Sequence, residues 1–143
     1  MYLLIQGNPI RKKRARGRKG QARPYDSQKE FKADFVRDAK RQIKKSEKIP
    51  KGVPVEMGFK FRMPYPKKYF RTGRFSHLLK KNAPKWPCNN SSADLDNLIK
   101  FVKDCLNGIA YHDDCQVVRY IGQPEMFYDL CPGVEVFIRE LEE

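Results

Sequence analysis

Apolar and polar residues alternate without a break from Val53 to Met63, and this is the clearest strand pattern in the chain. A period of two predicts a strand with one buried face and one solvated face. Pro54 has no backbone N–H to donate to a neighbouring strand, so it indicates the strand's start or an edge. The apolar series is Val53, Val55, Met57, Phe59, Phe61 and Met63, and the polar series contains Glu56, Lys60 and Arg62.

A first amphipathic helix is predicted from about Ser27 to Ser46. Ser27 and Glu30 have the spacing of a capping box, which marks a helix start. Apolar residues then recur every four positions, which places them on one face of a helix. These residues are Phe31, Phe35, Ala39 and Ile43.

A second helix is predicted from Asp94, at the N-cap position, to a stop at Asn107-Gly108. Its apolar residues follow helical spacing, and they are Leu95, Leu98, Ile99, Val102 and Leu106.

Three further strands are predicted, at Tyr2 to Gln6, at Gln116 to Ile121 and around the alternating residues Val134 to Ile138. Together these elements predict an α+β fold, in which a small mixed sheet of about four strands packs with two main helices. The 143 residues fit a single domain, and two loops interrupt it, at about 8–25 and about 64–93.

Positive charge is concentrated in residues 1–85, which hold 26 Lys/Arg against 6 Asp/Glu, whereas residues 86–143 hold 4 against 11. A basic portion of this kind is typical of a phosphate-binding surface. A solubilising charge or a structural nucleic-acid binder stays open as an alternative. The candidate DNA-binding residues lie in the two loops, and they are Arg11, Lys12, Lys13, Arg14, Arg16, Arg18, Lys19, Lys67, Lys68, Arg71 and Arg74.

Carboxylates gather in the acidic portion of the chain. Asp94 and Asp96 lie at the start of the second predicted helix, and Asp113 and Asp114 precede the next strand. A helix that packs on that strand can bring all four to one end of the sheet, where hard oxygen ligands suit Mg²⁺. Ordinary roles stay open: an N-cap, a turn, and a helix ion pair between Asp96 and Lys100.

The order of these motifs resembles the RusA-like Holliday-junction resolvases. The resemblance rests on Asp94-Leu95-Asp96-Asn97-Leu98-Ile99-Lys100, on the helix end Leu106-Asn107-Gly108, and on Asp113-Asp114-Cys115-Gln116-Val117. It implies catalytic roles for Asp94, Asp96, Lys100 and Asp114, and a homodimer of α+β subunits. It also implies metal binding by Asp94, Asp96, Asp113 and Asp114, with Mg²⁺ as the cofactor and Mn²⁺ as a substitute.

The function expected from this resemblance is an endodeoxyribonuclease that binds four-way DNA junctions and resolves them by paired nicks in recombination and repair. No run of about 20 apolar residues is present, so we expect a cytoplasmic protein. Two alternatives remain. One is a non-catalytic basic nucleic-acid-binding protein, and the other is a metal nuclease that acts on other branched DNA.

Overall fold

The computed structural model describes residues 1–9, 29–88 and 94–142, with only the backbone described at 29 and 30. Within these ranges the fold is α+β, with two helices and a five-stranded mixed sheet, which confirms the predicted class. None of the described helices is long and apolar enough to cross a membrane. The elements are β1 (Tyr2–Gln6), α1 (Lys29–Gln42), β2 (Val55–Pro64), α2 (Leu95–Cys105), β3 (Val117–Tyr120), β4 (Glu125–Asp129) and β5 (Gly133–Glu140).

The central strand is β2, which is paired along both edges. The strand order is β1-β5-β2-β3, and β4 also pairs with β2. Strand β5 runs antiparallel to both β1 and β2. Strands β3 and β4 run parallel to β2 and share its other edge, β3 beside Val55–Met57 and β4 beside Lys60–Pro64. The two short strands therefore act as one interrupted neighbour of β2.

One face of the sheet is covered by the two helices. Met57, Phe59 and Phe61 of β2 point into this core, as their alternation predicts. On the helix side, the rings of Phe35 and Phe101 meet edge to face, with centroids 5.9 Å apart. The buried side chains of α2 are Leu98, Ile99, Phe101, Val102 and Cys105.

Helix α1 is shorter than predicted. It ends at Gln42, and a short 3₁₀ turn over Lys45–Glu47 follows it. The Gln42 side chain accepts a hydrogen bond from the N–H of Leu4 and donates one to its C=O, at 3.0 and 2.8 Å. This amide occupies backbone groups at the edge of β1 that could otherwise pair with another chain. Phe31 is 53% exposed, so the predicted apolar face is buried only from Phe35 onwards. The predicted cap at Ser27 lies outside the described residues.

The second face of β2 is not solvated along its whole length, so that part of the strand prediction is wrong. Glu56 is 3% exposed, and it is ion-paired with Arg119 of β3, at 2.8 Å, and with Arg139 of β5. Gly58 is also buried, and a Cβ there would lie 3.2 Å from the carbonyl oxygen of Ile121. Side chains and backbone from the neighbouring strands cover these two positions, and the periodicity of one strand carries no signal of that cover.

Strand β4 has no counterpart among the predicted strands. Its sequence, Glu-Met-Phe-Tyr-Asp, does not alternate, and four of its five residues are half-buried. The pairing with β2 holds it in place. The remaining strands lie where they were predicted, and Pro54 directly precedes β2, which confirms it as a start signal.

The ion pairs of Glu56 give the fold a testable acid sensitivity. Hydrogen bonds from Arg139 and Arg119 lower the pKa of Glu56 below its ordinary value of 4.5. A lowered carboxyl pKa means that the stabilisation is complete above pH 4.5 and is lost as the pH falls through the folded-state pKa. We therefore expect Glu56→Gln to lower the free energy of unfolding in urea at pH 7 and to weaken its decline in acid.

The matched control is Glu140→Gln, which removes an exposed carboxylate at the end of β5. This variant should keep the acid profile of the unaltered protein. A Glu56→Gln protein as stable as the unaltered one at pH 7 would show that the two arginines do not stabilise the sheet.

Candidate functional site

Asp94 stands at the N-cap of α2, as predicted, but its side chain makes no capping hydrogen bond to the backbone. Its backbone C=O accepts the first helical hydrogen bond, from the N–H of Leu98 at 3.1 Å. Its carboxylate instead accepts a hydrogen bond from the Asn97 side chain at 3.3 Å. The Asp94 side chain therefore stays exposed at the helix start, where the aligned backbone N–H groups carry partial positive charge.

Asp96 and Lys100 are both exposed on the outward side of α2, opposite the face that carries Leu98 and Val102. Their spacing of four residues places them one helical turn apart. The prediction that these two side chains share the solvated side of the helix is confirmed. A carboxylate and an ammonium group are thus both accessible to a large ligand on this side of the helix.

Asp113 and Asp114 lie in the turn that leads into β3. The Asp113 carboxylate accepts a hydrogen bond from the N–H of Asp114 at 2.8 Å, and it caps a 3₁₀ turn over Asp114–Gln116. Asp113 is exposed and Asp114 is half-buried. The structure therefore brings these two predicted ligands together as adjacent carboxylates on one short turn.

A buried amide fixes that turn. Gln116 is 8% exposed, and its Oε1 accepts hydrogen bonds from the N–H groups of His112 and Asp113, at 2.9 and 3.0 Å. Its Nε2 donates to the carbonyl oxygens of Pro50 and Val53, at 2.8 and 2.9 Å. Every hydrogen-bonding position of the amide oxygen and nitrogen is thereby used. The Asp113–Asp114 turn is tied to the segment that precedes β2.

Tyr111 holds the same turn to the end of α2. Its ring is fully buried, and its hydroxyl donates to the carbonyl oxygen of Lys103 at 2.7 Å. Its backbone C=O accepts from the N–H of Gly108 at 2.8 Å. The sequence predictions assigned no role to Tyr111 or Gln116. The sequence signal that could have indicated a role for Gln116 was its place in the Asp-Asp-x-Gln-Val motif. Tyr111 follows two apolar residues, and nothing in that run distinguished it from an ordinary core residue.

The surroundings of the two adjacent aspartates shift their pKa values in opposite directions. Burial raises the pKa of Asp114, and its hydrogen bond with Asp113 and the charge of that residue raise it further. The pKa of Asp113 is lowered, first by a hydrogen bond with the Cys115 side chain and then by its bond with Asp114. A cation near Asp114 would relieve this repulsion, and carboxylate oxygens are the ligands that Mg²⁺ prefers.

The two pairs of aspartates are associated with opposite ends of α2: Asp94 and Asp96 lie at its start, and the turn that carries Asp113 and Asp114 is bonded through Tyr111 to Lys103 near its end. The charged groups that act on Asp114 include Lys103 and Asp104, which belong to the last turns of the helix. Asp96 and Asp104 are eight residues apart, which is about 12 Å along a helix axis. Ligands that share one Mg²⁺ each lie about 2.0–2.1 Å from it.

Among the residues that the structure describes, no three Asp, Glu, His or Cys side chains are grouped closely enough to hold a metal ion. Within one chain the structure thus brings Asp113 and Asp114 together but does not join Asp94 and Asp96 to them in such a group. The expectation that all four carboxylates meet stays a prediction.

A basic segment lies between β2 and α2, and its described part is residues 64–88. It contains short 3₁₀ turns over Lys67–Tyr69 and Gly73–Phe75, and two backbone hydrogen bonds of 2.8 Å close it on itself. The predicted DNA-binding residues in this segment are all exposed, and they are Lys67, Lys68, Arg71 and Arg74. The others lie outside the described residues, and they are Arg11, Lys12, Lys13, Arg14, Arg16, Arg18 and Lys19.

Comparison with known proteins gives two matches. The chain is 36% identical over 88 residues to the uncharacterized protein YqaN of Bacillus subtilis (strain 168), in an alignment that covers 62% of this chain. The alignment spans 58% of that relative's length. The family model of endodeoxyribonuclease RusA matches residues 6–139. Because this match runs from the end of β1 to near the end of β5 and includes all four candidate aspartates, the chain belongs to the RusA endodeoxyribonuclease family.

Proposed function

We propose that this protein is a Mg²⁺-dependent endodeoxyribonuclease that binds four-way DNA junctions and resolves them by paired nicks. The observation that carries the proposal is the family match over residues 6–139. The adjacent carboxylates of Asp113 and Asp114, in a chain with a net charge of +13, support it independently. Such a pair of carboxylates repels the phosphates of DNA unless a cation lies between the carboxylates and the phosphates. The proposed setting is recombination and repair of DNA in the cytoplasm.

The proposed metal ligands are Asp94, Asp96, Asp113 and Asp114, with Mg²⁺ as the ion and Mn²⁺ as a substitute. When bound, the ion supplies an activated water and stabilises charge on the phosphate. Lys100, exposed one turn from Asp96, contacts the scissile phosphate or orients the attacking water. The exposed cations of residues 64–88 grip the junction arms through phosphates, and salt weakens this grip.

We further propose that the protein acts as a homodimer and that the two pairs of aspartates combine across it. Asp94 and Asp96 belong to the start of α2, whereas the turn that carries Asp113 and Asp114 is bonded through the Tyr111 hydroxyl to Lys103 near the helix end. A helix is too stiff to fold its two ends together. Two copies arranged about a twofold axis can place Asp94 and Asp96 of one copy beside Asp113 and Asp114 of the other. This arrangement gives two equivalent sites for two nicks.

Replacing one proposed ligand should separate binding from cleavage. We expect Asp96→Asn to bind a synthetic four-way junction as tightly as the unaltered protein, or more tightly, because a repulsive charge is removed. Cleavage with Mg²⁺ should fall by about 10²–10³-fold or more, since a ligand of the reacting site is lost. The measurement is a nicking assay with and without Mg²⁺, beside a gel-shift assay.

The control is Asp34→Asn, which removes an exposed helical carboxylate of α1 that pairs with Arg37. It should cleave normally. Normal cleavage by Asp96→Asn would contradict the mechanism, and an absence of Mg²⁺-dependent cleavage in the unaltered protein would favour the non-catalytic binder. Equal cleavage of three-way and four-way junctions would favour a nuclease for other branched DNA.

Mixing two inactive variants tests whether the sites are shared. If ligands come from both copies, a dimer of one Asp96→Asn subunit and one Asp114→Asn subunit keeps one intact site. We therefore expect the mixture to recover nicking of one strand without paired resolution, as read by product length on a denaturing gel. Mixing Asp94→Asn with Asp96→Asn, which alter the same pair, should recover nothing. Equal inactivity in both mixtures would place each site within one copy.

Gln116 should position the Asp113–Asp114 turn for metal binding. Gln116→Glu keeps the side-chain shape but loses the two hydrogen bonds donated to Pro50 and Val53. We expect it to need several-fold more Mg²⁺ for half-maximal cleavage, with a smaller change in the rate at saturation. The control is Gln42→Glu, which loses an equivalent bond to Leu4 at the edge of β1. An equal Mg²⁺ requirement in the two variants would contradict the positioning role.

A further inference from the structure

The aromatic residues between β2 and α2 divide into two groups. The inner group packs against β4: the rings of Tyr65 and Tyr128 stack with centroids 4.9 Å apart, and Tyr69 lies 6.0 Å from the same ring. Phe70 lies 6.3 Å from Tyr65. These contacts fix the beginning of the segment to the sheet, and they account for the inner aromatics without any ligand.

The outer group is not accounted for in this way. Phe75 and Trp86 are each 47% exposed, and Leu78 is 40% exposed. The backbone beside them is nevertheless held, because Leu78 accepts a hydrogen bond from Arg71, and Lys85 accepts one from Tyr128, both at 2.8 Å. Large apolar side chains are thus exposed to solvent on a backbone that is held by hydrogen bonds, which is typical of a binding surface.

Each outer ring has a cation over it. The Arg74 guanidinium lies 5.1 Å from the centre of the Phe75 ring, and the Lys85 ammonium lies 4.6 Å from the centre of the Trp86 ring. Residues 64–88 contain seven Lys or Arg and no Asp or Glu. Charge complementarity therefore selects a polyanion, and the half-exposed planar rings select one that also offers planar groups for stacking.

We propose that Trp86 and Phe75, each with its neighbouring cation, stack on unpaired or unstacked DNA bases at the branch point of the substrate. Bases inside a linear duplex are already stacked and offer no face to a protein ring. Unstacked bases do offer one, and stacking on an aromatic side chain tolerates any base sequence. The inference rests on the proposed function in one respect only, that the DNA is branched.

The protein carries its own probe, because Trp86 is its one tryptophan. The experiment uses the full chain without metal, so that no DNA is cut, and records tryptophan fluorescence during titration with DNA. The ligands are a four-way junction, a single strand and a linear duplex of the same sequence. Stacking of a base on the indole should quench the emission at least about twofold with the junction and the single strand, and little with saturating duplex.

Affinities measured by anisotropy supply a second readout. Trp86→Leu should weaken binding of the single strand and the junction by about 5- to 150-fold, since one stacked base contributes about 1–3 kcal/mol. Trp86→Phe, which keeps a ring, should lose less, and Phe75→Leu should resemble Trp86→Leu. The matched control is Lys81→Gln, which removes an exposed charge without a ring and should weaken all three DNAs alike.

Four outcomes would overturn the stacking proposal. The first is equal quenching by duplex and single strand, and the second is equal weakening of all DNAs by Trp86→Leu. The third is quenching by anionic lipid vesicles but not by single strands. The fourth is a change of tryptophan fluorescence with protein concentration alone. The last two would assign the surface to a membrane and to a second copy of the chain. The fluorescence titration uses the unaltered protein, so its result does not depend on how any variant folds.

The test of the stacking proposal and the test of the proposed function can fail separately. Mg²⁺-dependent junction cleavage without selective quenching would leave the nuclease standing and remove the stacking surface. Selective quenching without any Mg²⁺-dependent cleavage would do the reverse.

Discussion

The pairing of β2 along both of its edges is the constraint on which the rest of the structure depends. Strand β5 pairs with it on one edge, and the interrupted neighbour formed by β3 and β4 pairs on the other. Helix α2, whose start carries Asp94 and Asp96, shares one hydrophobic core with the inner face of β2. The segment before Val55 accepts two hydrogen bonds from the side chain of Gln116, which holds the turn that carries Asp113 and Asp114. Both groups of candidate ligands are therefore positioned from one strand.

The acidic turn shows how stability and chemistry oppose each other in this fold. The half-buried carboxylate of Asp114 costs stability when it is charged, because burial and the neighbouring Asp113 both raise its pKa. Four hydrogen bonds from Gln116 and the buried hydroxyl of Tyr111 hold the surrounding backbone in place. A turn without such support could relax by moving the carboxylates apart. Carboxylates with perturbed pKa values, held in place by surrounding hydrogen bonds, are a common property of functional sites.

The sequence predicted those features that depend on short-range periodicity. Strand β2, the buried face of α2 and the stop at Asn107-Gly108 follow from apolar spacing and from the φ of +77° at Gly108. It did not predict the burial of Glu56, the strand β4 or the role of Gln116. Each of these is decided by residues at least 63 positions away in the chain, such as Arg139 for Glu56 and β2 for β4.

The aromatic residues of the basic segment show the same limit more sharply. In sequence, Tyr65, Tyr69, Phe75 and Trp86 are equivalent, because each is an aromatic ring among cations. What separates them is Tyr128 of β4, whose ring stacks on Tyr65 and packs at a tilt against Tyr69, and which, within the described part of the chain, has no such ring contact with the other two. Composition could therefore indicate that some ring in this segment meets DNA, but only a partner remote in the chain decides which rings remain exposed.

The stiffness of α2 places the strongest demand on any mechanism. A chain whose ligands all lay on one loop could close around an ion by a local movement. Here a helix keeps Asp96 about 10 Å along its axis from Lys103, to which the hydroxyl of Tyr111, just before the Asp113–Asp114 turn, is bonded. Bringing the pairs together must therefore involve something larger than a side-chain rotation. The proposed assembly with a second copy would supply such a step, and it would make cleavage depend on the dimer. Such dependence suits a junction resolvase, because a lone nick would leave the junction unresolved.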